Sequence, residues 1–108
     1  MNLRGWLFFF TVAVTCSASG APAPDTAQAL RTRSLAANCA QCHGTDGHAA
    51  RGSAVPGLAG MPAAEFVEQI NAFRSGARKS TVMQQLARGY SDAQIDQLAA
   101  YFAAQPRP

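Results

Sequence analysis

Apolar residues recur at helical spacing in several stretches of the chain, and the clearest stretch lies near the C-terminus. Ile95, Leu98, Ala99 and Phe102 follow the i, i+3, i+4, i+7 pattern of an amphipathic helix. The segment Ser91–Gln94 precedes them and has the residue types of a capping box. The pattern therefore predicts a final helix with one buried face.

Three further helices are predicted upstream of this one. An N-terminal helix runs into Cys39, and a second begins at Pro62 and stops at Gly76, because proline suits a first helical position and glycine a left-handed C′ position. A short helix covers residues 81–88. No stretch alternates with the period of a strand, so the pattern predicts an all-α fold with three principal helices and one short helix.

The N-terminus has the organisation of a secretory signal peptide. Residues 5–14 form an apolar run that is too short to span a bilayer, and small residues follow it. We predict a signal peptide over residues 1–20, a flexible N-terminal tail over 21–28 and one folded domain over 29–108. The mature protein is then secreted or periplasmic, without a membrane span, and Cys16 is removed with the signal peptide.

Charge and size narrow the possible functions further. The chain has nine Lys and Arg against six Asp and Glu, a net charge of +3, and its basic residues form no continuous run. This balance does not indicate nucleic-acid binding. A domain of this size buries a small fraction of its surface. It commonly needs a covalent cross-link or a bound cofactor to be stable.

The segment Cys39-Ala40-Gln41-Cys42-His43 has the C-x-x-C-H spacing of haem attachment. On a helical turn both sulfurs can reach one haem edge, and the adjacent imidazole can ligate the iron as a metal ligand. A thioredoxin-like redox pair, a zinc site and a structural disulfide are the competing interpretations. The first lacks a βαβ context, the second lacks a further ligand pair, and the third leaves the domain without sufficient core.

Three residues are candidates for the second axial ligand of the iron. Met83 lies forty residues beyond His43, which leaves the chain room to pass around a haem. Met61 follows a glycine-rich loop and could instead pack at a haem edge. His48 is only five residues past His43 and is expected to stay exposed. We therefore expect His43 and Met83 as the metal ligands. A thioether favours ferrous iron more than a second imidazole does, so Met83 would raise the potential.

With these features the chain resembles the class I c-type cytochromes over nearly all of its mature length. The resemblance implies a cytochrome c fold wrapped around one covalent haem c. It also implies that Pro56, in the loop after the attachment site, offers its carbonyl to His43, which would fix the orientation of the imidazole. The cofactor-binding residues are then Cys39, Cys42, His43, Pro56 and Met83.

A more specific resemblance is to the monohaem form of the cytochrome subunit of flavocytochrome c sulfide dehydrogenase. The family's Thr-x-Met ligand segment corresponds to Thr81–Met83. The resemblance implies a flavoprotein sulfide dehydrogenase subunit as redox partner. The other segments that carry it are Phe66–Glu68, Phe73–Gly76, Ala87–Ser91 and Ala100–Phe102.

The expected function is electron transfer, with the cytochrome itself not catalysing a substrate reaction. A free shuttle to an oxidase or another dehydrogenase is the first alternative, and an open-site haem sensor or peroxidase-like protein is the second. Arg74, Arg78 and Lys79 could form a docking patch for an acidic partner, or simply a solvated face. The pattern assigns no role to Tyr90 or Tyr101.

Overall fold

A computed structural model describes residues 24–108 of the chain, and within them it contains helices and loops but no strand. This confirms the all-α prediction. The predicted signal peptide and Cys16 lie outside the described residues. The helices are α1 (Pro24–His43), α2 (Ala63–Ser75), α3 (Met83–Arg88) and α4 (Asp92–Ala103), and a 3₁₀ turn covers Thr45–Gly47.

The start and stop signals of two helices act as the sequence predicts. At the start of α4 the Ser91 hydroxyl accepts a hydrogen bond from the Gln94 amide at 3.2 Å. The Gln94 side chain in turn accepts one from the Ser91 amide at 2.9 Å, which completes the capping box. Pro62 directly precedes α2, and Gly76 ends that helix in the left-handed conformation at φ 81°.

Two helix starts differ from the predicted positions. Helix α1 begins at Pro24 and so includes residues 24–28, which the sequence assigned to the tail. Proline at a helix start leaves no amide without a partner, which permits this extension. Helix α3 begins at Met83 rather than at residue 81, because the Ser80 hydroxyl accepts from the Gln84 amide at 3.0 Å while Val82 stays outside helical geometry.

The core forms where the three longer helices meet. Helix α2 packs against α3 and α4, and α1 packs against α4 and the 3₁₀ turn. The rings of Phe66 and Phe102 join α2 to α4 at a centroid distance of 5.6 Å. Leu30 is 56% exposed, so the packed part of α1 is its C-terminal half. The buried core residues are Ala36, Leu58, Phe66, Ile70, Ala87, Ile95, Leu98, Ala99 and Phe102.

The loop between α1 and α2 folds back on the 3₁₀ turn. The carbonyl of buried Gly47 accepts hydrogen bonds from the amides of Leu58, at 2.8 Å, and Ala59, at 3.1 Å. Gly47 has φ 83°, and a Cβ atom there would lie 2.7 Å from the Ala59 nitrogen. Only glycine fits this close approach of two backbones without displacing one of them.

The far end of the same loop is fastened to the C-terminal segment. The Gly60 amide donates to the Phe102 carbonyl at 2.8 Å, and the Arg107 guanidinium donates back to the Gly60 carbonyl at 3.2 Å. The His48 Nε2 donates to the Pro106 carbonyl at 2.9 Å. The end of the loop is therefore held by both the 3₁₀ turn and α4, and its start is held by the residues that follow α4.

Candidate haem site

A cavity of about 780 Å³ opens beside the core, and all five predicted site residues line it. Its wall is mainly apolar, and it has the size typical of a cofactor pocket. Further lining residues come from α1 (Asn38), the loop (Ala54, Val55, Leu58, Met61), α2 (Glu65, Phe66, Gln69, Ile70, Phe73), the segment before and in α3 (Arg78, Ser80, Thr81, Val82, Leu86), Tyr90, and α4 (Ile95, Leu98).

His43, the last residue of α1, is oriented by the loop. Its Nδ1 lies 2.6 Å from the carbonyl oxygen of Pro56, the hydrogen bond that the resemblance implies. A carbonyl can only accept, so Nδ1 must carry the proton. In the neutral ring Nε2 then keeps its lone pair, which is the state of an imidazole that ligates a metal while its other nitrogen is fixed by a backbone carbonyl.

The two cysteines lie one helical turn apart at the end of α1. Cys39 is half-buried and packs against the core, whereas Cys42 is exposed on the cavity side. Both thiols are free rather than joined in a disulfide. Burial raises the pKa of the Cys39 thiol above its usual value, so at neutral pH this group is a protonated thiol.

The three candidates for the second axial ligand occupy different places. Met83 and Met61 both line the cavity and both contact the core. His48 lies outside the cavity wall, with Nδ1 3.3 Å from the Thr45 carbonyl and Nε2 bonded to Pro106. His48 is therefore engaged in holding the loop, in agreement with its expected exposure.

Helix α3 presents apolar side chains to the cavity. Val82 is 52% and Leu86 46% exposed, which is unusual for large apolar residues, and both line the cavity together with Met83. In the same helix, Ala87 is completely buried in the core. Val82, Met83 and Leu86 therefore give the cavity an apolar wall at the start of α3.

Tyr90 is a cavity residue to which the sequence pattern assigned no role. Burial raises the pKa of its hydroxyl, a negative charge on Cys39 would raise it further, and a hydrogen bond from Asn38 opposes both effects. Tyr101 lies elsewhere: its ring packs edge-on against Phe102, and its hydroxyl bonds to Asp46. The sequence pattern does not show which of the two tyrosines lines the cavity, because each position depends on contacts between distant parts of the chain.

A family model described as cytochrome c oxidase, cbb3-type, subunit III matches residues 26–102. The chain therefore belongs to this family of c-type cytochromes. The matched segment contains nearly all of α1 and α4, together with the loop, α2 and α3. No helix within residues 24–108 combines the length and the apolarity that crossing a membrane requires.

Several curated relatives share this domain. The chain is 36% identical to the cytochrome subunit of sulfide dehydrogenase from Chlorobaculum tepidum over 89 residues, which cover 82% of this chain and 78% of the relative. It is 39% identical to cytochrome c-554(548) of Halomonas halodenitrificans over 70 residues, covering 62% of this chain and 83% of the relative.

A third relative is much longer than this chain. The thiosulfate dehydrogenase electron acceptor of Stutzerimonas stutzeri is 41% identical over 70 residues, which cover 65% of this chain but only 32% of the relative. The corresponding protein of Thiomonas intermedia is matched over 31% of its length. The chain thus spans about a third of these two relatives.

Membership of this family makes covalently bound haem c the cofactor of this protein. The cavity fits it on three counts: an apolar wall, two free thiols at C-x-x-C spacing, and an imidazole with its Nδ1 already bonded. Cys39 and Cys42 would form the thioether links, and His43 would ligate the iron. Bound haem supplies a reversible one-electron couple, and the chain sets its potential through ligands and burial.

Proposed function

We propose that the protein is a periplasmic one-electron carrier with a single haem c, attached at Cys39 and Cys42 and ligated by His43 and Met83. The observation that carries this proposal is the hydrogen bond from His43 Nδ1 to Pro56 on the wall of the cavity. It leaves Nε2 as the only ring nitrogen able to ligate. Fixing the ring in advance also lowers the reorganisation that accompanies a change of charge.

Met83 is the second ligand in this proposal. It begins α3, and the hydrogen bond from the Gln84 amide to the Ser80 hydroxyl holds the start of that helix. The resemblance of Thr81–Met83 to a ligand segment supports Met83 over Met61, although both line the cavity. A His/Met pair closes the iron to external ligands, which suits electron transfer rather than substrate chemistry.

The absorption spectrum tests this ligand pair. We expect the wild-type holoprotein to be six-coordinate and low-spin, with the weak near-infrared band of methionine–iron ligation. Met83→Ala should abolish that band, open the iron to carbon monoxide after reduction and lower the potential. Met61→Ala, a matched change in the same cavity, should keep the band.

Loss of the band in Met61→Ala and its survival in Met83→Ala would transfer the ligand role to Met61. A wild-type ferric form that is high-spin and binds carbon monoxide readily on reduction would instead support an open-site sensor or peroxidase-like protein. Either result would contradict the His43–Met83 pair.

The redox partner in this proposal is a flavoprotein that oxidises sulfide. The support is the relative named as the cytochrome subunit of sulfide dehydrogenase, which aligns with this chain over most of both lengths. The flavin would carry out the substrate chemistry, and the cytochrome would accept its electrons singly. Affinity capture of the haem-loaded protein from a native periplasmic extract should recover a flavoprotein, and sulfide should then reduce the haem.

A free electron shuttle is the second candidate. Cytochrome c-554(548) is matched over 83% of its length and is therefore a protein of nearly the same extent as this domain. A shuttle would be recovered without a flavoprotein, and its haem would stay oxidised when sulfide and a flavoprotein are added. The capture experiment therefore separates the two candidates directly.

Export is a further part of the proposal. Residues 1–20 act as the signal peptide, and residues 29–108 form the cytochrome domain. Of the predicted tail at residues 21–28, residues 24–28 belong to the first turns of α1. The apolar run at residues 5–14 and the small residues after it support this assignment. N-terminal sequencing of the protein from a periplasmic fraction tests it, and an intact residue 1 in that fraction would contradict it.

A further inference from the structure

Arg78 is the one lysine or arginine among the described residues that line the cavity. Glu65 is the one carboxylate on the same wall. The remaining wall is apolar or carries neutral polar groups. Apolar packing alone therefore does not explain why a cation lies at this position of the wall.

The side chain of Arg78 is held in place from α2. Its Nη1 donates to the Oε1 of Gln69, and its Cζ lies 4.8 Å from the centre of the Phe73 ring. Its amide donates to the Ala72 carbonyl at 2.9 Å. Gln69 and Phe73 also line the cavity, so these contacts fix the guanidinium at the cavity rim.

This guanidinium has no acidic partner within the described part of the chain. The one ion pair among residues 24–108 joins Arg74 to Asp92 at 2.6 Å. A guanidinium has five N–H donors in a planar fork, and Gln69 uses one of them. The remaining donors have the geometry that best binds a carboxylate.

We infer that Arg78 binds a propionate carboxylate of the haem and positions the cofactor in its cavity. The inference rests on the proposed haem site, because haem carries two propionates and the wall offers a single fixed cation to balance them. Arg78 is exposed, so the paired charges lie at the solvent-facing rim and avoid the cost of burying an ion pair.

The three neighbouring cations therefore do not form one uniform patch. Arg74 is neutralised by Asp92 and also donates to Asn71 at 3.2 Å. Lys79 is exposed and does not line the cavity. Only Arg78 combines a place on the cavity wall with a fixed side chain and no carboxylate.

A positioned guanidinium has two measurable consequences. It offsets the negative charge of the propionate, and a less negative surrounding favours the reduced iron, so Arg78 raises the reduction potential. It also keeps the propionate ionised near neutral pH, because a nearby positive charge favours the charged carboxylate. Both effects require the guanidinium to lie close to the haem.

Spectroelectrochemical titration of the haem-loaded protein and three variants tests this role. Arg78→Gln should lower the midpoint potential and add pH dependence to it between about pH 5 and about pH 8. Lys79→Gln removes the same charge one residue away and should leave both quantities close to wild type. Arg78→Lys should keep most of the potential, since it keeps the charge.

Two substitutions that keep the positive charge, Arg78→Lys and Lys79→Arg, test the contact between Arg78 and the propionate independently of Arg78→Gln. In resonance Raman spectra the propionate bending mode should shift in Arg78→Lys, which loses the fork, and should not shift in Lys79→Arg. Equal potentials and pH profiles in Arg78→Gln and Lys79→Gln, or an unchanged Raman mode in Arg78→Lys, would overturn the inference. A wild-type protein without haem absorbance would instead overturn the proposed site itself.

Discussion

The side chain of Tyr101 joins two segments that are distant in the sequence. Its hydroxyl donates to the Asp46 carboxylate at 2.5 Å, across 55 positions of sequence, and its ring packs edge-on against Phe102. Asp46 has φ 52°, a left-handed conformation that aspartate tolerates better than most residues. The bond therefore holds the turn after the attachment segment against α4.

This contact predicts how stability depends on pH. Partial burial, the hydrogen bond to Asp46 and the charge of that carboxylate raise the pKa of Tyr101, and Arg33 partly opposes them. Because the folded-state pKa is raised, the contribution is fully present below the unfolded pKa of about 10 and is lost as pH rises through the folded pKa. Unfolding by denaturant across alkaline pH should show this loss.

Tyr101→Phe should cost about 1 kcal/mol at neutral pH and flatten the fall in stability above about pH 10. Asp46→Asn is the matched control: it keeps an acceptor and removes the charge, so it should retain part of the stability. A Tyr101→Phe protein as stable as wild type at every pH would show that the bond contributes nothing.

At the scale of elements, the loop between α1 and α2 determines where the Pro56 carbonyl lies. Gly47 and Gly52 both have positive φ, 83° and 80°, so replacing either with alanine carries a similar conformational cost. The two positions differ in their surroundings. A Cβ atom at Gly47 would contact the backbone of Leu58 and Ala59, whereas a Cβ atom at Gly52 would have no atom within 4 Å.

Gly47→Ala should therefore destabilise the protein by about 2 kcal/mol more than Gly52→Ala, since it adds a backbone displacement to the shared cost. It should also perturb the absorption spectrum of the holoprotein, because the displaced segment follows Pro56. Thermal unfolding and visible spectra of both variants provide the test. Equal losses in the two variants would contradict a rigid contact between the turn and the loop.

The elements whose signals are local could be predicted from the sequence. The capping box at Ser91, the left-handed Gly76 and the helical spacing from Ile95 to Phe102 each depend on residues a few positions apart. The start of α3 is also set by a local contact, the hydrogen bond from the Gln84 amide to the Ser80 hydroxyl, but the apolar spacing placed it two residues too early. The hydrogen bonds of Gly60 with Phe102 and Arg107 join distant parts of the chain, and no sequence pattern predicts them.

The candidate site likewise has residues that local spacing predicts and a residue whose position depends on other elements. The spacing of Cys39, Cys42 and His43 is a local signal, and those three residues do line one cavity. The fixed position of Arg78 depends on Gln69 and Phe73 of α2, so nothing in the sequence pattern separates Arg78 from its basic neighbours.

At the scale of the whole molecule, the protein has a small core beside a large cavity. The buried apolar residues come from all four helices and the loop, yet Val82 and Leu86 remain exposed to the cavity. A domain of this size gains little from its own burial alone. The cofactor would cover this apolar surface and so act as part of the core.

Loss of attachment should therefore unfold much of the protein. Cys39→Ser and Cys42→Ser together should lower the thermal midpoint by more than about 10 °C, which corresponds to at least about 2 kcal/mol for a domain of this size. Ala37→Ser, an exposed change on the same helix, is the control and should have little effect. A haem-free double variant that unfolds at the wild-type temperature would contradict a structural role for the cofactor.

The mass of the mature protein, isolated from a host that can attach haem, tests the central claim most directly. We expect a mass that exceeds the processed polypeptide by one haem, which persists after denaturation, together with a Soret band. Attachment should disappear when Cys39 and Cys42 are both replaced. A mass equal to the bare polypeptide, with no Soret absorbance, would contradict the account.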